Sequence, residues 1–273
     1  MPHHAKQLYT MLLLLLALPL AAQDYTLVWN EDFTDASLDL NVWNIEVNGD
    51  GGGNSELQYY CEKGVTLGTE PTTGKKCLVL TATKEDYKGK KCTSGRVNTK
   101  NKLYYTFGKI EARIKFPGGK GTWPAFWMMG ESGNWPKCGE IDIIEHIGSQ
   151  DTRASFALHT QEKNGMNGKN WHSTHFFDYP LSNDFHVYGV EWCQEEDSGR
   201  DCIRFLVDGE VYATAWEEQI GNHDHWPFYK PHYFILNLAV GGNMGGKVDD
   251  SIFDQLRIMY VDWVRVYQRV ELP

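Results

Sequence analysis

The residues best suited to chemistry in this sequence are three carboxylates, Glu140, Asp142 and Glu145, set among isoleucines in one apolar segment. The isoleucines predict a β-strand, whose side chains alternate between two faces. Glu140 and Asp142 then share a face, whereas strict alternation would point the charge of Glu145 into the core, which is costly. One extra residue at Ile143-Ile144, a β-bulge, returns Glu145 to the face of the other two. We therefore predict three acids along one cleft.

The expected distance between two of these carboxyl groups bears on the reaction. At about 3.3 Å per residue, less the bulge, the Cα atoms of Glu140 and Glu145 lie roughly 13 Å apart, and side chains leaning inward bring the carboxyl groups to about 5 to 6 Å. That is near the ~5 to 5.5 Å of a retaining glycoside hydrolase and short of the ~6.5 to 9.5 Å of an inverting one. Acids that alternate along a strand are also typical of a solvated face, so that alternative stays open.

The elements that must position these acids follow the patterns of short strands. Residues 109–116 alternate apolar and charged side chains, as in a sheet with one wetted face. Residues 203–207 and 211–213 flank Asp208-Gly209, a turn pair that tolerates positive φ and predicts a hairpin. Residues 261–267 predict a closing strand, and no long segment has a helical period. Many short antiparallel strands predict an all-β sandwich.

The chain is organised as a leader and one domain. Residues 1–22 place Lys6 before an apolar run that ends in small residues, the pattern of a cleaved secretory signal peptide. No linker, charge block or repeat divides residues 23–273, so we expect a single exported domain. The net charge of −10 becomes −11 when Lys6 is removed. This charge disfavours nucleic acid and anionic membranes as partners.

Six cysteines in an exported chain predict disulfides. Cys193 and Cys202 are equally distant from the expected hairpin tip, so we predict that they pair. Cys61 and Cys92 are a second candidate pair at neighbouring strand ends. Cys138, two residues before Glu140, could be a nucleophile or ligand, but no Cys-x-x-Cys or clustered histidine supports this. We expect it to be a small buried side chain.

Aromatic side chains make up 13% of the sequence, with ten tryptophans, more than a core of this size requires. Trp123 and Trp127 are four residues apart and so share one strand face, while Phe126 and Met128 take the other. A polysaccharide cleft needs flat apolar platforms for sugar rings, which makes the tryptophan face the candidate floor. Core packing is the alternative for each tryptophan.

The bulged acidic segment resembles the ExDxxE signature of glycoside hydrolase family 16, in its laminarinase-like branch. The resemblance runs from about residue 27 to 268, with its segments in the expected order. The matching segments are Trp135-Pro136 with residues 140–146, and residues 54–60, 94–100, 123–128, 185–188 and 237–242.

This resemblance implies a curved jelly-roll sandwich of the concanavalin A-like type, with the cleft on its concave face. It implies retaining hydrolysis of β-1,3-glucan or mixed-linkage β-1,3/1,4-glucan, with Glu140 as nucleophile, Glu145 as acid and base, and Asp142 orienting Glu140. An agarase, a carrageenase or a transglycosylase of the same fold stays an alternative. So does a non-catalytic β-glucan-binding protein, although such relatives typically lose the glutamates.

The resemblance also implies a metal site and a set of residues that contact the substrate. A structural calcium would bind Glu31 and Asp262, since calcium favours hard oxygen ligands, and catalysis would need no cofactor. We expect a monomer. Residues 161–171 and Asn243-Met244 depart from the family pattern near the substrate, so they leave the linkage preference open. The residues implied to contact the glucan are Asn54, Arg96, Trp123, Trp127, Trp135, His159 and Asn237.

Overall fold

A computed structural model describes residues 25–195, 200–221, 225–255 and 257–269. The predicted signal peptide, residues 1–22, lies outside the described residues. Within the described ranges, no helix is long and apolar enough to cross a membrane.

The structure consists mainly of strands joined by short connections. The strands are β1 (Tyr25–Glu31), β2 (Asn44–Ile45), β3 (Gln58–Tyr60), β4 (Val65–Thr69), β5 (Lys76–Tyr87), β6 (Lys90–Ser94), β7 (Arg96–Asn98), β8 (Gly108–Lys115), β9 (Thr122–Gly130), β10 (Glu140–His146), β11 (Arg153–His159), β12 (Trp171–Phe176), β13 (His186–Glu195), β14 (Arg200–Val207), β15 (Glu210–Trp216), β16 (His232–Val240) and β17 (Arg257–Arg269). The helices are α1 (Glu217–Ile220) and α2 (Gly242–Gly245), with 3₁₀ turns at Glu62–Gly64, Leu181–Asn183 and Asp250–Asp254.

These strands form two sheets. The ten-stranded sheet has the order β15-β14-β13-β8-β17-β5-β6-β3, with β1 beside β17 and β4 beside β5. The seven-stranded sheet has the order β12-β11-β10-β9-β16-β7-β2 and places the acidic strand β10 near its middle. β3 and β6 pair in parallel, and the other pairings named here are antiparallel. The all-β sandwich is confirmed.

The core lies between the sheets and follows strand alternation. Ile110, Ala112 and Ile114 of β8 are fully buried, and burying each large aliphatic side chain stabilises the fold by about 1.5 to 3 kcal/mol. The predicted hairpin is also confirmed, because β14 and β15 are joined by Asp208 at φ 51° and Gly209 at φ 86°. Residues of low steric demand therefore sit where the turn needs positive φ.

The cysteine predictions have different outcomes. Cys193 lies directly opposite Cys202 in the β13–β14 pairing, with their Sγ atoms 2.6 Å apart, and their disulfide stays a prediction. The pairing of Cys61 with Cys92 is wrong: Cys92 lies opposite Gln58 in a parallel pair, so Cys61 is three positions further along, roughly 10 Å at strand spacing. Cys138 is only 2% exposed, as expected of a packing residue.

The residues implied to hold calcium are engaged by protein donors. The Glu31 carboxylate accepts hydrogen bonds from the backbone N–H of Phe33 at 2.9 Å and from Nε1 of Trp43 at 3.2 Å. The Asp262 carboxylate lies 2.6 Å from Nη1 of Arg113, a cation that would compete with a metal ion. Protein donors therefore occupy both carboxylates, and the calcium site stays a prediction from the resemblance alone.

Candidate active site

Strand β10 carries the three acids and is irregular where the sequence predicts. Asp142 and Ile144 pair with successive residues of β9, which makes Ile143 the extra residue. The pairing with β11 also shifts between Asp142 and Glu145. The bulge is confirmed, and it returns Glu145 to the face of Glu140 and Asp142. We call the face of the seven-stranded sheet that carries these three acids the cleft face.

The neighbouring strand β9 divides its side chains as predicted. Phe126 and Met128 are fully buried in the core between the sheets. Trp123 lies on the cleft face, where its Nε1 donates a hydrogen bond of 3.1 Å to Oε1 of Glu145. Trp127, of the same parity, faces the cleft as well, because it pairs with Asp142.

Each of the two glutamates, Glu140 and Glu145, has an indole donor. Trp135, in the connection between β9 and β10, donates from Nε1 to Oε2 of Glu140, as Trp123 does to Glu145. An indole N–H can only donate, so it fixes the direction of the carboxyl group and favours its charged form.

His159 of β11 supports the middle acid. Its Nε2 lies 3.2 Å from Oδ2 of Asp142, and its Nδ1 accepts a hydrogen bond of 2.9 Å from the backbone N–H of Gly165. A neutral imidazole with an acceptor at Nδ1 carries its proton at Nε2. His159 therefore donates to Asp142, and the loop 160–170 fixes this tautomer.

Burial dominates the ionisation of the acids. It raises the pKa of Glu140 to about 8, with a further contribution from the charge of Asp142. It raises the pKa of Glu145 to about 7, with a contribution from Glu140, and it raises the pKa of Asp142 well above its usual range. Since each acid disfavours ionisation of the others, protons are retained in the cleft near neutral pH. Each glutamate has one indole donor that lowers its pKa, Trp135 for Glu140 and Trp123 for Glu145, and the assignment of the nucleophile's charge to Glu140 stays a prediction from the resemblance.

Glu140, Asp142 and His159 are also close enough to share a metal ion, because one potential ligand atom from each lies within 4.8 Å of the others. Their hydrogen bonds do not fit one. The atom of His159 that faces Asp142 carries a proton, and an indole N–H faces Glu140. These N–H donors are directed at carboxylates and therefore stabilise negative charge there, in the place where a cation would have to bind.

The family model of glycosyl hydrolases family 16 matches residues 57–265. The chain belongs to this family. A beta-glucanase of Rhodothermus marinus is 37% identical over 263 residues, covering 92% of this chain and 87% of that protein. The glucan endo-1,3-beta-glucosidase A1 of Niallia circulans is 33% identical over 264 residues, 89% of this chain but 38% of that protein. The X-ray structure of the laminarinase from Rhodothermus marinus matches with a TM-score of 0.80 and 36% identity, covering 91% of this chain and 99% of that chain.

Within this family 16 fold, a polar cluster occupies the cleft face on the β9 side of the acids. Asn237 of β16 accepts a hydrogen bond of 2.7 Å from Nε1 of Trp127 and donates one of 3.1 Å to the hydroxyl of Tyr60. The guanidinium of Arg96 lies 4.9 Å from the Trp127 ring and pairs with Glu46 at 2.9 Å. The structure thus brings Arg96, Trp127 and Asn237 together, and their contacts with substrate stay a prediction.

Two other predicted substrate residues have different surroundings. Trp123 is only 8% exposed, which suits support of Glu145 better than a broad sugar platform. Asn54 bonds Gly52 through its side chain at 3.3 Å, and its backbone oxygen accepts the N–H of Asn243 at 2.9 Å. Asn54 therefore adjoins the segment in which this chain departs from the family pattern.

Sequence reasoning missed the residues that hold the predicted ones in place. Glu46 pairs with Arg96, and the buried Glu56 accepts from Tyr60 at 3.1 Å. Gly165 fixes the tautomer of His159. No local pattern marks these residues, because each reaches its partner through strand pairing or a loop distant in sequence.

Proposed function

We propose that this protein is a retaining endo-β-1,3-glucanase that cuts laminarin-type glucan and accepts mixed-linkage β-1,3/1,4-glucan. The observation that carries the proposal is the pair Glu140 and Glu145 on one bulged strand, each held by an indole N–H. The names of the relatives, beta-glucanase, laminarinase and glucan endo-1,3-beta-glucosidase, support the substrate class.

In the first step, the Glu140 carboxylate attacks the anomeric carbon while Glu145 gives its proton to the departing glycosidic oxygen. The glycosidic bond breaks and a glucosyl ester forms on Glu140. In the second step, Glu145 takes a proton from water, the oxygen of that water attacks the same carbon, and Glu140 leaves as a carboxylate. Two inversions retain the configuration.

The surrounding residues prepare these roles. Burial helps Glu145 keep its proton near neutral pH, as a general acid requires. Asp142 accepts a hydrogen bond from Nε2 of His159 and orients Glu140. Its charge also opposes ionisation of Glu145 by like-charge repulsion. Trp135 stabilises the charge that returns to Glu140 when the ester is cleaved.

We also propose that residues 1–22 direct export and that the protein acts as a monomer on polysaccharide, without a cofactor. The charge of −11 after removal of Lys6 argues against nucleic acid and anionic membranes as partners, because it repels both.

A non-catalytic β-glucan-binding protein is the second candidate. Binding alone gives no reason to hold two carboxyl groups in a site that opposes their ionisation, so we favour the enzyme.

Azide rescue tests the two roles separately. Glu140→Ala removes the nucleophile, and azide entering the vacated space should give a glycosyl azide of inverted configuration. Glu145→Ala leaves the first step intact for an activated aryl glucoside, so azide should attack the ester and give a product of retained configuration. The products are identified by nuclear magnetic resonance.

Azides of the same configuration from both variants would contradict the assignment, as would full activity of Glu140→Ala. Product sizes from laminarin, lichenan, agarose and carrageenan test the substrate class. Digestion of agarose or carrageenan alone would replace the glucanase by another enzyme of the same fold. Digestion of none of the four would favour the binding protein.

A further inference from the structure

The cleft face continues past the catalytic strand onto β11. Glu145 lies directly opposite Ser155, with Ala157 two residues away on the same face. The residue between them points the other way, since the rings of Phe156 and Phe205 from the second sheet lie 5.3 Å apart. Ser155 and Ala157 are small side chains beside the proposed catalytic acid, and both are buried, at 5% and 4% exposed.

Strand β12 is the edge of this sheet and extends the same face. Thr174 lies opposite Ser155, and Phe176 lies opposite Arg153. Trp171, of the other parity, stacks instead on a core phenylalanine of the second sheet. Phe176 is 62% exposed. A large apolar ring is thus presented on the cleft face, two strands from the acids.

Polar groups beside this ring are only partly satisfied. Ser155 is 5% exposed, and its hydroxyl has no hydrogen-bond partner among the described residues. A buried hydroxyl without a partner is costly, and a ligand could supply the partner. Arg153 is held over the strand by Gln150 at 2.9 Å and Thr174 at 3.5 Å. Donors beside an exposed aromatic ring suit a sugar, which has hydroxyl groups at its rim and apolar C–H faces.

We propose that the surface formed by Arg153, Ser155, Thr174 and Phe176 binds the leaving-group side of the glucan chain. Ser155 and Arg153 contact the first sugar beyond the cleaved bond, and Phe176 stacks on the next. This inference rests on the proposed function. Strands are about 4.8 Å apart, so β12 lies roughly 10 Å from β10, room for more than one sugar ring.

The assignment of sides follows from the difference between the two halves of the cleft face. On the β9 side, Arg96 is ion-paired and packed against Trp127, which suits the sugar that stays bound as the ester. On the β12 side, Ser155 and Ala157 have small side chains, and the ring of Phe176 is open to solvent. That half suits the sugars that leave first and the water that replaces them.

The test compares two substrates in wild type and Phe176→Ala. Laminarin fills both sides of the cleft, whereas a nitrophenyl β-laminaribioside places only its nitrophenyl group beyond the cleaved bond. We expect Phe176→Ala to lower kcat/KM on laminarin about tenfold, which corresponds to about 1.4 kcal/mol, and to leave the aryl substrate unchanged. Phe176→Trp should restore activity. Leu27→Ala, at an exposed residue of β1 in the other sheet, is the control and should change neither value.

A second readout is transfer of the glucosyl group to added laminaribiose, which must bind on the leaving-group side. Phe176→Ala and Ser155→Ala should each lower the ratio of transfer to hydrolysis severalfold. Equal losses on both substrates would place the ring on the other side and overturn the inference, as would unchanged kinetics in both variants. These outcomes leave an active glucanase, whereas a wild type that cleaves neither substrate overturns the proposed function as well.

Discussion

The strongest quantitative consequence of the site is that its function costs stability. Glu145→Gln replaces an ionisable side chain by a neutral one of the same shape, and the amide oxygen can still accept from Trp123. Burial raises the pKa of Glu145 from its usual 4.5 to about 7. The folded state therefore binds this proton more tightly than the unfolded chain does.

The sign follows from linkage. A carboxyl group with a raised pKa does not penalise folding below about pH 4.5, where it is protonated in both states, and its penalty grows until pH exceeds the folded pKa. A rise from 4.5 to about 7 corresponds to about 3 kcal/mol. At about pH 8, Glu145→Gln should thus be more stable than wild type by about 3 kcal/mol, with little difference at about pH 4. The repulsion between Glu145 and Glu140 is already part of this shift.

Urea denaturation at several pH values, followed by tryptophan fluorescence, measures the free energy of unfolding. Glu210→Gln is the control, because Glu210 is an exposed carboxylate at the start of β15. We expect the control to follow the wild-type pH dependence while Glu145→Gln flattens it and loses activity. An equal dependence in all three proteins would show that Glu145 ionises in the fold as easily as in the unfolded chain, which would refute the reasoning.

Three further predictions concern single contacts. Arg153→Gln removes a positive charge that lowers the pKa of Glu145, so the alkaline limb of the pH–activity profile should move to higher pH; an unmoved limb would contradict this. His159→Phe removes a donor to an acid, and we expect kcat/KM to fall about 10- to 100-fold, since such a bond contributes about 1.5 to 3 kcal/mol; near-wild-type activity would argue against the role. Cys193 and Cys202 should be recovered as a linked peptide from exported protein, and the ten-residue loop should stabilise it by about 2 to 3 kcal/mol; a free thiol at either position would contradict the pairing.

The sequence alone determined the features that depend on local alternation. The position of the bulge follows from three acids whose spacing breaks the period of two, because burying the charge of Glu145 would cost more than inserting one residue. The same period assigned Trp123 and Trp127 to the cleft face and Phe126 to the core. The turn at Asp208-Gly209 was equally local.

The tertiary structure decided what depends on which strands meet and in what register. The sequence predicts Cys61 and Cys92 at neighbouring strand ends, but the parallel pairing of β3 with β6 displaces them by three positions. Phe176 comes into line with Arg153, and Ser155 with Glu145, only through the pairing of β10, β11 and β12. The register of a sheet is fixed by packing of the whole core rather than by any one strand, so no local pattern could supply these contacts.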